Sequence, residues 1–226
     1  MLRDPLTHIQ ETCMPLNARS DARFRAARFT ALVALLAPLA GVALGAQATQ
    51  QGAPAAANSA AINAVRAALD KYKDPIVAVR EGWLSTIGCV DFPAGGTEHG
   101  SMEYKPGAMG VHFINMGLVG PKLDSTKPQV LLYEMVGDKL VLTGAEWFVP
   151  TDLAKTPPTI LGHKLMGPME GHAPIMPAEL HHWDLHVWLW KNNPNGMFSP
   201  TNSAVKCPKT GYAYTFADAP PKMVKP

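Results

Sequence analysis

His181-His182-Trp183-Asp184-Leu185-His186-Val187-Trp188-Leu189-Trp190 alternates polar and aromatic or aliphatic residues over ten positions. A period of two is the signature of a strand, in which residues i, i+2 and i+4 share one face. The reading places His182, Asp184, His186 and then Trp188 on one side, with Trp183, Leu185 and Val187 on the other. Two imidazoles and a carboxylate on one rigid face form half of a metal site, because these donors suit zinc, copper, iron and nickel.

Upstream of this segment the same period recurs. Met109–Met116 reads as a strand carrying His112. Gln129–Met135 and Leu140–Val149 are two apolar runs separated by Val136-Gly137-Asp138-Lys139, a hairpin signal. Between the hairpin and the histidine strand, Thr151–Pro177 is rich in proline and glycine and reads as a long irregular loop. Phe92–Gly107 reads as another loop for the same reason. Ahead of the strands, Ser59 offers a cap for a helix in which Ile62, Val65, Leu69 and Tyr72 recur at three- and four-residue spacing. Asp74-Pro75 starts a second helix, with the aspartate as N-cap and an apolar stripe of Ile76, Val79 and Trp83. Helices followed by strands predict an α+β domain, an antiparallel sheet of about four to five strands with the N-terminal helices packed on one face. There is no nucleotide fingerprint, phosphate-cradling loop, repeat or heptad pattern.

The ends read differently. Arg19, Arg23, Arg25 and Arg28 precede an apolar run from Thr30 to Gly45, and Ala46-Gln47-Ala48 offers small residues for cleavage. Residues 1–48 therefore read as a signal peptide, with Met14 as an alternative start and a retained membrane anchor as the competing reading. Residues 49–58 read as an Ala/Gln/Gly linker, 59–208 as one domain and 209–226 as an irregular tail. The presequence carries five basic and three acidic side chains, leaving fifteen of each in the remainder. That balance gives no electrostatic basis for binding nucleic acid or an anionic membrane surface. The signal peptide pattern predicts a secreted or periplasmic protein not inserted in the membrane after cleavage.

With Cys13 in the presequence, Cys89 and Cys207 remain as a pair far apart in the chain. An oxidising compartment makes a disulfide the simplest use of them, tying the end of the helical region to the C-terminal part. Two thiolate metal ligands are the alternative reading.

Glu134 lies inside Val130-Leu131-Leu132-Tyr133-Glu134-Met135, and Glu146 inside Thr143-Gly144-Ala145-Glu146-Trp147-Phe148-Val149. A carboxylate in so apolar a run must be paired, protonated or metal-bound if it is buried. The candidate set is therefore His112, Glu134, Glu146 and His186, with His182 or His172 as auxiliary ligands, for zinc, iron, manganese or copper. Trp147 or Trp188 would line a pocket for a small-molecule ligand. The bland alternative is a structural network in which the glutamates pair with His and Lys or face solvent. A second cluster, His163, Met166, Met169, His172 and Met176, mixes thioethers with imidazoles and suits copper, whereas methionines filling gaps under a loop would look the same. From a different class, a tryptophan-lined face could make the domain a non-enzymatic module for a small molecule, a glycan or an envelope partner. No activated-serine pattern is present, and a homo-oligomer is left open.

Met109-Gly110-Val111-His112-Phe113-Ile114-Asn115, Leu131-Leu132-Tyr133-Glu134, Gly171-His172-Ala173-Pro174-Ile175-Met176-Pro177 and Asp184-Leu185-His186-Val187-Trp188-Leu189-Trp190, with Asn193-Pro194 and Gly196-Met197-Phe198, resemble a family of secreted bacterial proteins of uncharacterised activity. The resemblance spans roughly residues 60 to 208, and its most specific part is Leu-His-Val-Trp-Leu-Trp. Met116 departs from the proline usual after the residue matching Asn115. The resemblance implies the domain boundary and singles out His112, Glu134, His172 and His186 without naming a reaction.

Overall fold

The computed structural model describes residues 52–96, 102–208, 214–217 and 220–225. The expected signal peptide lies outside the described residues, as does the start of the expected linker. From Gly52 the chain is helical: α1 runs Gly52–Leu69 and continues into a 3₁₀ turn at Asp70–Lys73. Ser59 therefore lies inside the helix and does not begin it. The three-four spacing holds, since Ile62, Val65, Leu69 and Tyr72 are all buried. Asp74 caps α2 (Pro75–Arg80) through its carboxylate, which accepts from the Ile76 amide at 2.9 Å. The expected stripe of α2 is corrected, because Ile76 and Val79 are exposed while Ala78 is buried and Val77 packs on the core. A helix of only six residues presents one short face, and here it is the Val77-Ala78 side.

Seven strands form the main sheet: β1 (Leu84–Phe92), β2 (Gly107–Ile114), β3 (Val130–Val136), β4 (Lys139–Pro150), β7 (Met166–Met169), β8 (His182–Trp188) and β9 (Tyr214–Ala217). Their order is β7-β8-β4-β3-β2-β1-β9. Every pairing is antiparallel except β1 with β9. The chain is α+β, as expected, with a larger sheet than the four or five strands read from the sequence. The additions come from places without clean alternation. β1 precedes the glycine-rich loop, and β7 sits inside the proline-rich segment, where β5 (Thr159–Ile160) and β6 (His163–Lys164) pair separately. β9 and the backbone of 220–225 lie in the expected irregular tail. There Met102 donates to Pro221 O at 2.9 Å, and Val224 donates to Pro168 O at 2.9 Å.

The two sheet faces have different contents. Ile62, Val65, Leu69 and Tyr72 of the helices pack with Val111, Phe113, Leu131, Tyr133, Trp147 and Val187, the residues of one alternation. Burying this many large aliphatic and aromatic side chains, at roughly 1.5–3 kcal/mol each, supplies the main stabilisation of the domain. The intervening positions, His112, Leu132, Glu146, Asp184 and His186, face the other way. That second face is also closed. Val90, Phe92 and Met109 from β1 and β2 form one cluster with Met169 of β7, although four strands lie between β7 and β1 in the sheet order. Such contact requires the sheet to curl, with the polar face on its inside.

The disulfide Cys89–Cys207 joins β1 to the segment after β8, across 118 residues of sequence. No helix among the described residues is long and apolar enough to cross a membrane.

Candidate metal centre

β8 supplies His182, Asp184 and His186 on one face, as strand alternation requires, and all three are at most 1% exposed. Register then places their partners. Glu146 of β4 is directly opposite His186, and Phe148 is opposite Asp184. His112 of β2 lies beyond β3 and β4. In a flat sheet three strand spacings would put it roughly 14 Å away. Curling brings the His112 and His186 ring centroids to 6.3 Å.

The His112 position is shaped by a bulge on the neighbouring strand. Pairing of β1 with β2 is interrupted between Ser85 and Cys89, the stretch opposite His112. There Ile87 adopts φ 61°, a costly conformation for a β-branched residue, and the Thr86 hydroxyl donates to the His112 carbonyl at 3.1 Å. A side-chain hydroxyl thus satisfies a carbonyl that the broken ladder would leave unpaired.

Two triads converge inside the curl. In the first, Glu146 Oε2 lies 3.5 Å from His112 Nε2 and 3.5 Å from His186 Nε2. In the second, Asp184 Oδ2 lies 3.8 Å from His182 Nε2 and 4.0 Å from His172 Nε2. Within each triad the three donor atoms are all within 4.8 Å of one another. These separations are too long for hydrogen bonds. Both Asp184 oxygens, Glu146 Oε2, both nitrogens of His172 and of His186, His112 Nδ1 and His182 Nε2 are buried without a hydrogen-bond partner. Each such group costs about 1–3 kcal/mol unless something satisfies it. Donors held 2.0–2.2 Å from a tetrahedral ion stand roughly 3.3–3.6 Å apart, close to the spacing of the first triad.

The electrostatics suit ligation. Burial lowers His112 to about 3, helped by His186 and His172. Burial also lowers His182 and His186 to about 4, against the pull of Asp184. The imidazoles are therefore neutral at pH 7, the form that binds metal. Burial and the Asp184 charge push Glu146 well above the usual carboxylate range. Burial also works to raise Asp184, yet the surrounding His172, His186 and His182 hold it below the ordinary value. Burial thus works against charge on Glu146 as it does on the His112, His182 and His186 rings, while Asp184 is the carboxyl held toward its charged form.

Of the six candidate ligands, His112, Glu146, His186, His182 and His172 come together. Glu134 does not join them. Its carboxylate accepts from Lys191 Nζ at 2.7 Å and from the Lys206 amide at 3.0 Å, the paired outcome for a buried acid. Asp184 joins the second triad, and its same-face position beside His182 and His186 was the signal for it. Tyr104 was not legible as part of the site. It donates to Met169 Sδ at 3.3 Å, and burial together with the Asp184 and Glu146 charges raises its phenol well above the ordinary value.

The two tryptophans separate. Trp147 faces the helices and donates to Asp124 O at 2.8 Å, so it does not line the site. Trp188 shares the site's face, packs with Leu132 and Phe148, and donates to Ser199 O at 2.7 Å. Trp183 is buried as well, donating to Ala154 O at 3.0 Å. These three indoles serve the core and form no exposed tryptophan face. The methionine-histidine loop also divides, because His163 stacks on Phe198 with centroids 3.8 Å apart while His172 enters the second triad.

A cavity of about 210 Å³ reaches His172 from the surface, walled by Val90, Phe92, Pro174, Ile175 and Pro221, with Glu170 and Lys222 also lining it. This puts a surface cavity against one member of the second triad. Comparison with family models, with curated proteins and with solved structures finds no match for this chain.

Proposed function

We propose that this is an exported metal-binding protein, holding a transition metal ion through His112, Glu146 and His186, with His172, His182 and Asp184 completing the centre. The observation that carries the reading is the convergence of two buried triads in which Glu146 Oε2, Asp184 Oδ2 and the Nε2 atoms of His172, His182 and His186 lack hydrogen-bond partners. A structural polar network would draw its members to hydrogen-bond distance, as Glu134 and Lys191 are drawn. The mixed imidazole and carboxylate set suits zinc, iron, manganese or copper. An ion there with an open position would activate water or polarise a carbonyl, supporting hydrolytic or oxidative work on a small molecule arriving past His172. Export is supported by the basic and apolar presequence and by the disulfide.

Elemental analysis of the untagged protein beside a His112→Ala/His186→Ala variant tests the reading. Stoichiometric metal in the parent that is lost from a still-folded variant is the expected result. A parent that takes up no transition metal after reconstitution overturns it.

A further inference from the structure

The two triads are joined through one ring. His186 Nε2 lies 3.5 Å from Glu146 Oε2, and its other nitrogen, Nδ1, lies 3.8 Å from Asp184 Oδ2. Asp184 Oδ2 therefore has three imidazole nitrogens around it at 3.8, 3.8 and 4.0 Å, from His186, His182 and His172. A carboxylate beside a metal-bound histidine ordinarily accepts the N–H of the second ring nitrogen, fixing its orientation. That role would bring Asp184 to about 2.8 Å from His186 and away from the others. Instead the three distances are balanced, and His186 Nδ1 and both Asp184 oxygens have no hydrogen-bond partner. Three rings gathered about one carboxylate oxygen at near-equal distances, none of them at hydrogen-bond length, fit four groups that share one ion.

We propose that His186 bridges two metal ions, with Nε2 completing one site with His112 and Glu146, and Nδ1 completing a second with His172, His182 and Asp184. This deepens, and rests on, the metal-binding reading above. The balance of charge follows. A bridging ring must be an imidazolate, so loading both sites releases the ring N–H proton to solvent. Two dications then face three negative groups, Glu146, Asp184 and the imidazolate, leaving one positive charge. Hydroxide or another small anion on the second ion neutralises it. His172 of that second site lines the surface cavity, and the residual positive charge makes the ligand class a small anion. Bond lengths of 2.0–2.1 Å on either side of the ring set the two ions roughly 6 Å apart.

Cupric ion is the probe, because it binds nitrogen and oxygen sites most strongly among these metals and its spin is countable. The metal-stripped, untagged protein is loaded with Cu²⁺. Bound copper is counted by elemental analysis and unpaired spins by electron paramagnetic resonance on the same sample. The expected result is two ions per chain with fewer than half of the spins visible at low temperature, since an imidazolate couples them antiferromagnetically. His172→Ala/His182→Ala is expected to hold one ion with its full spin. Azide added to the parent is expected to produce a charge-transfer band, and its absence overturns the open anion position. Two ions with two full spins overturn the bridge, and one ion overturns the second site. Both of those results leave metal binding standing. No bound copper at all sinks the metal-binding reading together with the bridge. The parent's spin count decides the question even if a variant does not fold.

Discussion

Glu146 and His186 are direct cross-strand neighbours on β4 and β8, with a carboxylate oxygen and a ring nitrogen 3.5 Å apart and neither bonded to anything else. Burial pushes that carboxyl well above the usual carboxylate range and lowers that imidazole to about 4. Glu146→Gln should therefore leave the metal-free fold as stable as the parent or more so, since an amide of the same shape carries no charge for burial and Asp184 to oppose. Metal affinity should fall by more than about tenfold, because the amide cannot supply the negative charge left when the acid loses its proton. Urea denaturation of the stripped protein and calorimetric metal titration measure the two effects, and loss of stability without loss of affinity would refute the assignment.

Glu134 predicts the opposite pattern. Glu134→Ala strands the Lys191 ammonium and the Lys206 amide, and should cost about 1–3 kcal/mol of stability. Metal content per folded chain should not change. Reduced metal stoichiometry in this variant would place Glu134 among the ligands after all.

Acid should destabilise the metal-free protein. His112, with a folded-state value of about 3, and His182 and His186, at about 4, all lie below the unfolded value near 6.5. The unfolded chain binds more protons in that window, so stability is full above pH 6.5 and falls as pH drops toward 4, by on the order of 1 kcal/mol per pH unit for each histidine. Glu146 has the reverse sign, since its raised value contributes stability at low pH that is lost as pH rises through it. The histidines outnumber it. A urea midpoint that stays level from pH 7 to pH 4.5 would mean that these rings are not buried and neutral.

Cys89→Ser/Cys207→Ser removes a cross-link spanning 118 residues. Chain entropy alone assigns such a loop about 5 kcal/mol, with engineered cases scattering below that figure. The expected result is a large drop in urea midpoint, read with the parent under oxidising conditions, and a change of less than about 1 kcal/mol would show that the bridge constrains little.

At Ile87, exposed and at φ 61°, glycine is the better residue. Ile87→Gly relieves a strain of about 1–3 kcal/mol while adding about 0.5–1 kcal/mol of unfolded-state entropy. A neutral to modestly stabilising change is expected in thermal melting. A loss of several degrees would show that the Ile87 side chain holds the bulge.

Local pattern made much of this legible. The three-four spacing from Ile62 to Tyr72, the Asp74-Pro75 cap and the Gly137-Asp138 turn each depend on neighbours in the chain, and each appears as read. β7 and β9 were hidden because a four-residue strand among prolines has no visible period. Trp147 and Glu146 were both offered as site residues, yet adjacent residues on a strand face opposite sides, and only one can look into the curl.

By itself the sequence determined the α+β class, the strand face shared by His182, Asp184 and His186, and the demand that Glu134 and Glu146 find partners if buried, because alternation and desolvation act on the chain locally. Which partners they found was decided only by the tertiary structure. Sheet order, register and curl brought His112 across one intervening strand to Glu146 and across two to His186, and left Glu134 to Lys191. Those relations join residues far apart in the chain, and they are set by how the whole sheet closes around its polar face.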